Sequence, residues 1–83
     1  MTQQPRKGTI RAYVLIHTRA GRSKAIVQEL ALLPGVISAH ALWGVPDVIV
    51  YAEVGSQPEL DDLVMEKIQT IDGIERTDTH IAL

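Results

Sequence analysis

The 83-residue chain contains no cysteine and no phenylalanine, one tryptophan and two tyrosines. Without cysteine there is no disulfide framework, no thiolate metal site and no Cys-x-x-Cys for metal transfer or an iron–sulfur cluster. Such a composition fits a reducing cytosol, and a cytoplasmic location is the expectation. An RNA-recognition sheet needs stacking aromatics in its central strands, within an Arg/Gly/Phe-rich segment, and that context is missing. So is a glycine-rich phosphate loop of Walker or dinucleotide type. The longest apolar run falls far short of the roughly 20 residues that cross a bilayer. At the start, Met1-Thr2-Gln3-Gln4-Pro5-Arg6-Lys7-Gly8 has no apolar segment behind its charges, unlike a signal peptide. Charge of one sign is lacking too: a net charge of −2 argues against a generic phosphate-binding surface. The Arg6-Lys7 pair is the only basic spot in the tail. We read residues 1–9 as a flexible tail and residues 10–83 as one small domain.

What the chain does have is two stretches of unbroken apolarity, Ala12-Tyr13-Val14-Leu15-Ile16 and Val48-Ile49-Val50-Tyr51-Ala52. A strand sends alternate side chains to opposite faces, so each run makes both faces apolar, as in strands covered on both sides. Only two other stretches read as helices, and two helices cover one face of a sheet. The second face therefore calls for a partner, for which another copy of the chain is the nearest candidate. Oligomerisation is the first functional expectation.

The order of elements follows from punctuation and periodicity. Residues 10–18 read as a strand that Gly21 breaks; residues 22–33 then place Ile26, Leu30 and Leu33 on one helical face before Pro34-Gly35 stops them. Residues 36–43 form a second, more polar strand with Ser38 and His40 on one side. Gly44-Val45-Pro46-Asp47 makes a tight connection to a third strand at 48–54. Ser56-Gln57-Pro58-Glu59 fits a capping box, with Ser56 as N-cap and Glu59 reaching back to it. Leu60, Leu63, Val64, Ile68 and Ile71 recur at helical spacing up to Gly73, and residues 74–83 close the chain as a fourth strand. Each half repeats strand, helix, glycine stop, strand. The fold class expected is α+β, a ferredoxin-like βαββαβ arrangement whose antiparallel four-stranded sheet carries two helices on one face. Strands one and three are central and the polar strands two and four lie at the edges. Tyr13, Leu15, His17, Ile49 and Tyr51 form the set expected to meet a partner sheet, because amphipathic Tyr and His suit a partly wet interface.

Function must come from sites, since this fold hosts many chemistries. His17, His40 and His80 match no metal-ligand spacing, and hydrogen-bonded structural or interface roles fit them better than catalysis. No Ser lies beside a plausible base in sequence. Asp47 opens a central strand after a turn; its carboxylate either satisfies turn amides or holds an ammonium group. Thr77 and Thr79 share one side of an edge strand. They are either exposed β-formers or two aligned hydroxyls for a carboxylate or amide.

Taken in order, the Ala12–Ile16 run, Leu33-Pro34-Gly35-Val36, Gly44-x-x-Asp47 and Thr77-x-Thr79 resemble the ligand-binding (RAM, regulation of amino-acid metabolism) domain of the Lrp/AsnC regulators. The likeness covers residues 10–83. It implies a dimer formed sheet against sheet, assembly into tetramers, octamers or related rings, and small effectors, usually amino acids, bound in clefts between dimers. It assigns Gly44, Val45 and Asp47 of the hairpin loop and Thr77 and Thr79 of the last strand to the effector, with no cofactor and no catalysis. Family regulators carry an N-terminal helix-turn-helix domain, whereas about nine residues precede the first strand here. The resemblance is thus to a stand-alone form, not expected to bind DNA by itself, with full-length relatives as candidate partners. Trp43 and Val45-Pro46 depart from the family pattern: Pro46 removes an amide donor and stiffens the loop, and Trp43 is placed to narrow the cleft or to pack between subunits. The rival readings are a cofactor-independent monooxygenase-like enzyme of the dimeric α+β-barrel type, with Trp43, His17 or His40 lining a pocket, and an ACT-type amino-acid module.

Overall fold

In the computed structural model, residues 9–83 are described. The elements run β1 (Ile10–Thr18), α1 (Ser23–Leu30), β2 (Val36–Ala41), β3 (Val48–Val54), α2 (Gln57–Asp61) continuing as a π-helical segment (Asp62–Ile68), and β4 (Ile74–Ile81). The strands form one sheet in the order β2-β3-β1-β4, every neighbouring pair antiparallel. The βαββαβ expectation and the central placing of the two apolar strands both hold. The tail assigned to residues 1–9, with Arg6 and Lys7, lies outside the described residues apart from Thr9.

Alternation along the central strands decides where the core sits. Ala12, Val14 and Ile16 of β1 and Val48, Val50, Ala52 and Val54 of β3 are buried against Ile26 and Leu30 of α1 and Leu60, Leu63, Val64 and Ile68 of the second helix. The intervening Tyr13, Leu15, His17, Ile49 and Tyr51 point to the other face and stay half-buried or exposed. Both faces of the central strands are apolar and only one is covered. Among the described residues, no helix is long and apolar enough to cross a membrane.

The element ends differ from the sequence reading in instructive ways. The first helix is regular only to Leu30; Leu32 and Leu33 bond back three residues to Glu29 and Leu30, tightening the last turn before Pro34. β2 ends at Ala41 rather than residue 43, because Leu42 N–H closes the hairpin on the Asp47 carbonyl at 2.7 Å and the chain then turns. β4 ends at Ile81. The second helix widens after Asp61, and Gln69 N–H bonds to the Val64 carbonyl five residues back. At its start the Ser56 hydroxyl accepts from Glu59 N–H at 3.3 Å. The Glu59 carboxylate reaches Gly55 N–H at 3.0 Å, one residue beyond the expected capping-box partner.

Candidate functional site

The β2–β3 hairpin is anchored by Asp47. Its N–H donates to the Ile16 carbonyl at 3.2 Å. Continuing the β1–β3 register would set Thr18 opposite Pro46. The Asp47 carboxylate fills that place, accepting Thr18 N–H at 2.9 Å on Oδ1 and the Thr18 hydroxyl on Oδ2. Partial burial alone would raise the Asp47 pKa, but the two Thr18 hydrogen bonds, its own backbone N–H and the nearby His17 outweigh it. The carboxyl is held below its ordinary value of 3.8. Asp47 therefore stays ionised and holds the loop. Gly44, at the tip, has φ +122°, and a Cβ there would meet nothing within 4 Å. The backbone at this point is open to an approaching ligand. Val45 beside it is exposed and joined to Pro46 by a cis peptide bond.

Thr77 and Thr79 stand elsewhere. The register pairs them with Ile16 and Val14, so both face the helix side of edge strand β4. Thr77 Oγ1 accepts from Gln69 Nε2 at 2.8 Å, while Thr79 is exposed. Asp47 precedes β3, two strand spacings or roughly 10 Å away across β1. One protomer thus brings Gly44, Val45 and Asp47 together on the hairpin and sets Thr77 and Thr79 together on edge strand β4, with β1 between the two groups.

The uncovered face has its own chemistry. The Tyr13 and Tyr51 rings meet with centroids 5.1 Å apart at 42°. The Tyr51 hydroxyl donates to Glu53 Oε2 at 3.1 Å; partial burial, this bond and the carboxylate charge push its pKa above the ordinary tyrosine value. Register places His17 beside Arg76, His40 opposite Ile49 and His80 opposite Tyr13, so all three histidines share this face. Strand parity alone carried that signal, once the pairing partners were known. Among the described residues, no three His, Cys, Asp or Glu side chains gather as a metal site. Arg76 pairs with Asp78 at 3.2 Å along the same edge.

Sequence reasoning missed a cleft of about 800 Å³ at the end of the sheet remote from the hairpin tip, lined by Pro34, Ile37, Tyr51, Val54 and Leu63 together with the charged Glu53, Glu59, Asp62 and Lys67. It is assembled from four separated segments, and no local motif announces it. Neither Trp43, His17 nor His40 lines it.

Comparison with known proteins identifies the fold and the family. Residues 11–83 match the Lrp/AsnC ligand binding domain. An uncharacterized HTH-type transcriptional regulator of Pyrococcus abyssi is 33% identical over 70 residues, which are 84% of this chain and 44% of that protein. The chain spans less than half the length of the curated relatives it matches. The crystal structure of TTHA0845 from Thermus thermophilus superposes with a TM-score of 0.85 at 35% identity, covering 89% of this chain and 92% of that one. The transcriptional regulator NMB0573 of Neisseria meningitidis, solved as a complex with L-Met, shares the fold at a TM-score of 0.77 and 18% identity over 89% of this chain and 49% of its own. With the family match running through every element of the sheet and both helices, the chain belongs to the Lrp/AsnC ligand-binding domain family.

Proposed function

We propose that this domain is a non-enzymatic effector-binding and oligomerisation module of transcriptional regulation, acting in the cytoplasm and taking a small molecule of the amino-acid class. The observation that carries the reading is the hairpin loop itself. Asp47 ties it to β1, and Gly44 leaves its backbone open where a ligand carboxylate would approach. The remaining lone pairs of the ionised Asp47 carboxylate suit an ammonium group.

The separation of the two residue groups across β1 supports a shared site. A ligand touching both the Gly44-Val45-Asp47 loop and the Thr77-Thr79 strand does so where copies adjoin, each copy giving one group. Two copies pair through Tyr13, Leu15, His17, Ile49 and Tyr51, and such dimers build tetramers to octamers or a similar ring around the ligand clefts. The module does not bind DNA by itself and joins assemblies with full-length Lrp/AsnC regulators. The monooxygenase-like alternative gains no support from the large cleft, whose lining omits Trp43, His17 and His40.

Isothermal titration with the twenty L-amino acids, run beside light scattering, tests the reading. A ligand binding at micromolar to millimolar strength is expected, with affinity lost in Thr79→Ala and Gly44→Ala. Unchanged affinity in both variants, or no binding across the panel, would sink it.

A further inference from the structure

The chain's only tryptophan stands fully in solvent. Trp43 is 105% exposed at the hairpin tip, flanked by exposed Leu42 and Val45. A tryptophan left this bare usually has a partner, since it buries on the order of 150–250 Å² when covered. The uncovered face of the sheet, where Tyr13, Leu15, Ile49 and Tyr51 stay half-buried or exposed, is the other apolar surface left without a cover.

Tip and cleft occupy opposite ends of β3: the tip precedes Val48, while the cleft is built around Tyr51, Val54 and the residues beyond. Tyr51 and Glu53 belong to the uncovered face by strand parity, while Val54 and the second-helix residues Glu59, Asp62, Leu63 and Lys67 belong to the helix side. The cleft therefore lies at the end of the sheet and reaches the surface that a second copy would cover through Tyr51 and Glu53. A two-fold axis lying in that surface, perpendicular to the strands, reverses strand direction between copies. It sets each tip over the other's cleft, and the contact is made twice. The cleft's lining is mixed, and Pro34, Ile37, Tyr51 and Val54 supply its apolar surface. Glu53, Glu59 and Asp62, already bonded to Tyr51, Gly55 and Lys67, keep further lone pairs for an indole N–H that has no acceptor among the described residues.

We infer that Trp43 is an interface anchor, which seats in the cleft walled by Pro34, Ile37, Tyr51 and Leu63 of a second copy of this chain. The inference rests on the face-to-face pairing proposed above and adds a specific lock to it. It makes the hairpin an arm that clasps the neighbouring copy, with Leu42 extending the sheet contact beside the indole.

Because Trp43 is the sole tryptophan, its fluorescence reports on this contact alone. The emission of the 83-residue chain is recorded over a dilution series with sedimentation velocity in parallel. It is then recorded again for Ile37→Asp, a change at an exposed cleft residue. A blue-shifted emission in the assembled chain that moves red on dilution, and red in Ile37→Asp at the same concentration, is the expected result. Trp43→Ala is expected to weaken self-association roughly tenfold to hundredfold. A chain that is monomeric at every concentration would overturn the pairing and the anchor together. An assembled chain whose tryptophan keeps a solvent-like emission overturns the anchor and leaves the pairing standing. Emission equally blue in wild type and Ile37→Asp also overturns it, by placing the indole somewhere other than the cleft.

Discussion

Thr18 donates both its backbone N–H and its hydroxyl to the carboxylate of Asp47, joining the end of β1 to the start of β3. A side chain here takes the position of a ladder carbonyl, just where Pro46 and the turn interrupt the pairing. Loss of the carboxylate leaves a partly buried N–H and a hydroxyl without their acceptor. Asp47→Ala is expected to cost about 1–3 kcal/mol, as charged hydrogen-bond acceptors do. In a domain of this size each kcal/mol lowers the melting temperature by roughly 4–8 °C. A calorimetric scan checks it.

The same bond sets a pH dependence. The Asp47 pKa is depressed in the folded chain, so the unfolded chain binds its proton first as pH falls. The stabilisation is complete above the ordinary value of 3.8 and is lost as pH drops through the lower folded value. The stability gap between wild type and Asp47→Asn is therefore constant at neutral pH and narrows below about pH 4. Urea titrations at a series of pH values measure the gap; a gap that widened on acidification would contradict the assignment.

Leu15 lies half-buried on the uncovered face, next to the Tyr13–Tyr51 pair. A lysine there puts a charge at the centre of the proposed sheet-to-sheet contact, where desolvation is costly. Leu15→Lys is expected to give a folded monomer, read by sedimentation equilibrium, with an unchanged far-ultraviolet dichroism spectrum.

Gly35 has φ +93°, and a Cβ there would lie 3.1 Å from Val54 Cγ1. Gly35→Ala meets both a left-handed backbone penalty of about 1–2 kcal/mol and a crowded neighbour. It should lower the melting temperature more than Ser56→Ala, which removes the hydroxyl cap on Glu59 N–H at a cost of about 1 kcal/mol. Parallel thermal melts rank the two.

Most of the architecture was legible from local signals. Gly21, Pro34-Gly35, Gly44 to Asp47 and Gly73 punctuate the chain, and the apolar runs of β1 and β3 are those of strands covered on both sides. The site was legible only in part. Asp47 was marked by its place after a turn, but the partner that takes up its carboxylate is 29 residues away on another strand. Thr77 and Thr79 share a side, as their spacing requires. Which side it is depends on pairing with Ile16 and Val14, and Thr77 turned out to meet Gln69. The widening after Asp61 also escaped the helical period, because Leu60, Val64 and Ile68 satisfy an α-helical stripe whether or not the intervening hydrogen bonds reach five residues back.

By itself, then, the sequence determined the order of elements, the central place of two strands and the presence of an apolar face with no helix to cover it. These rest on alternation, capping and glycine stops, all of which act within a few residues. Only the tertiary structure decided which hydroxyl and amide hold Asp47, that β1 separates the hairpin loop from the threonine strand, and that a cleft lies at the far end of the sheet from Trp43. Those depend on strand register and on segments distant in the chain, and register is settled by which faces can be buried together.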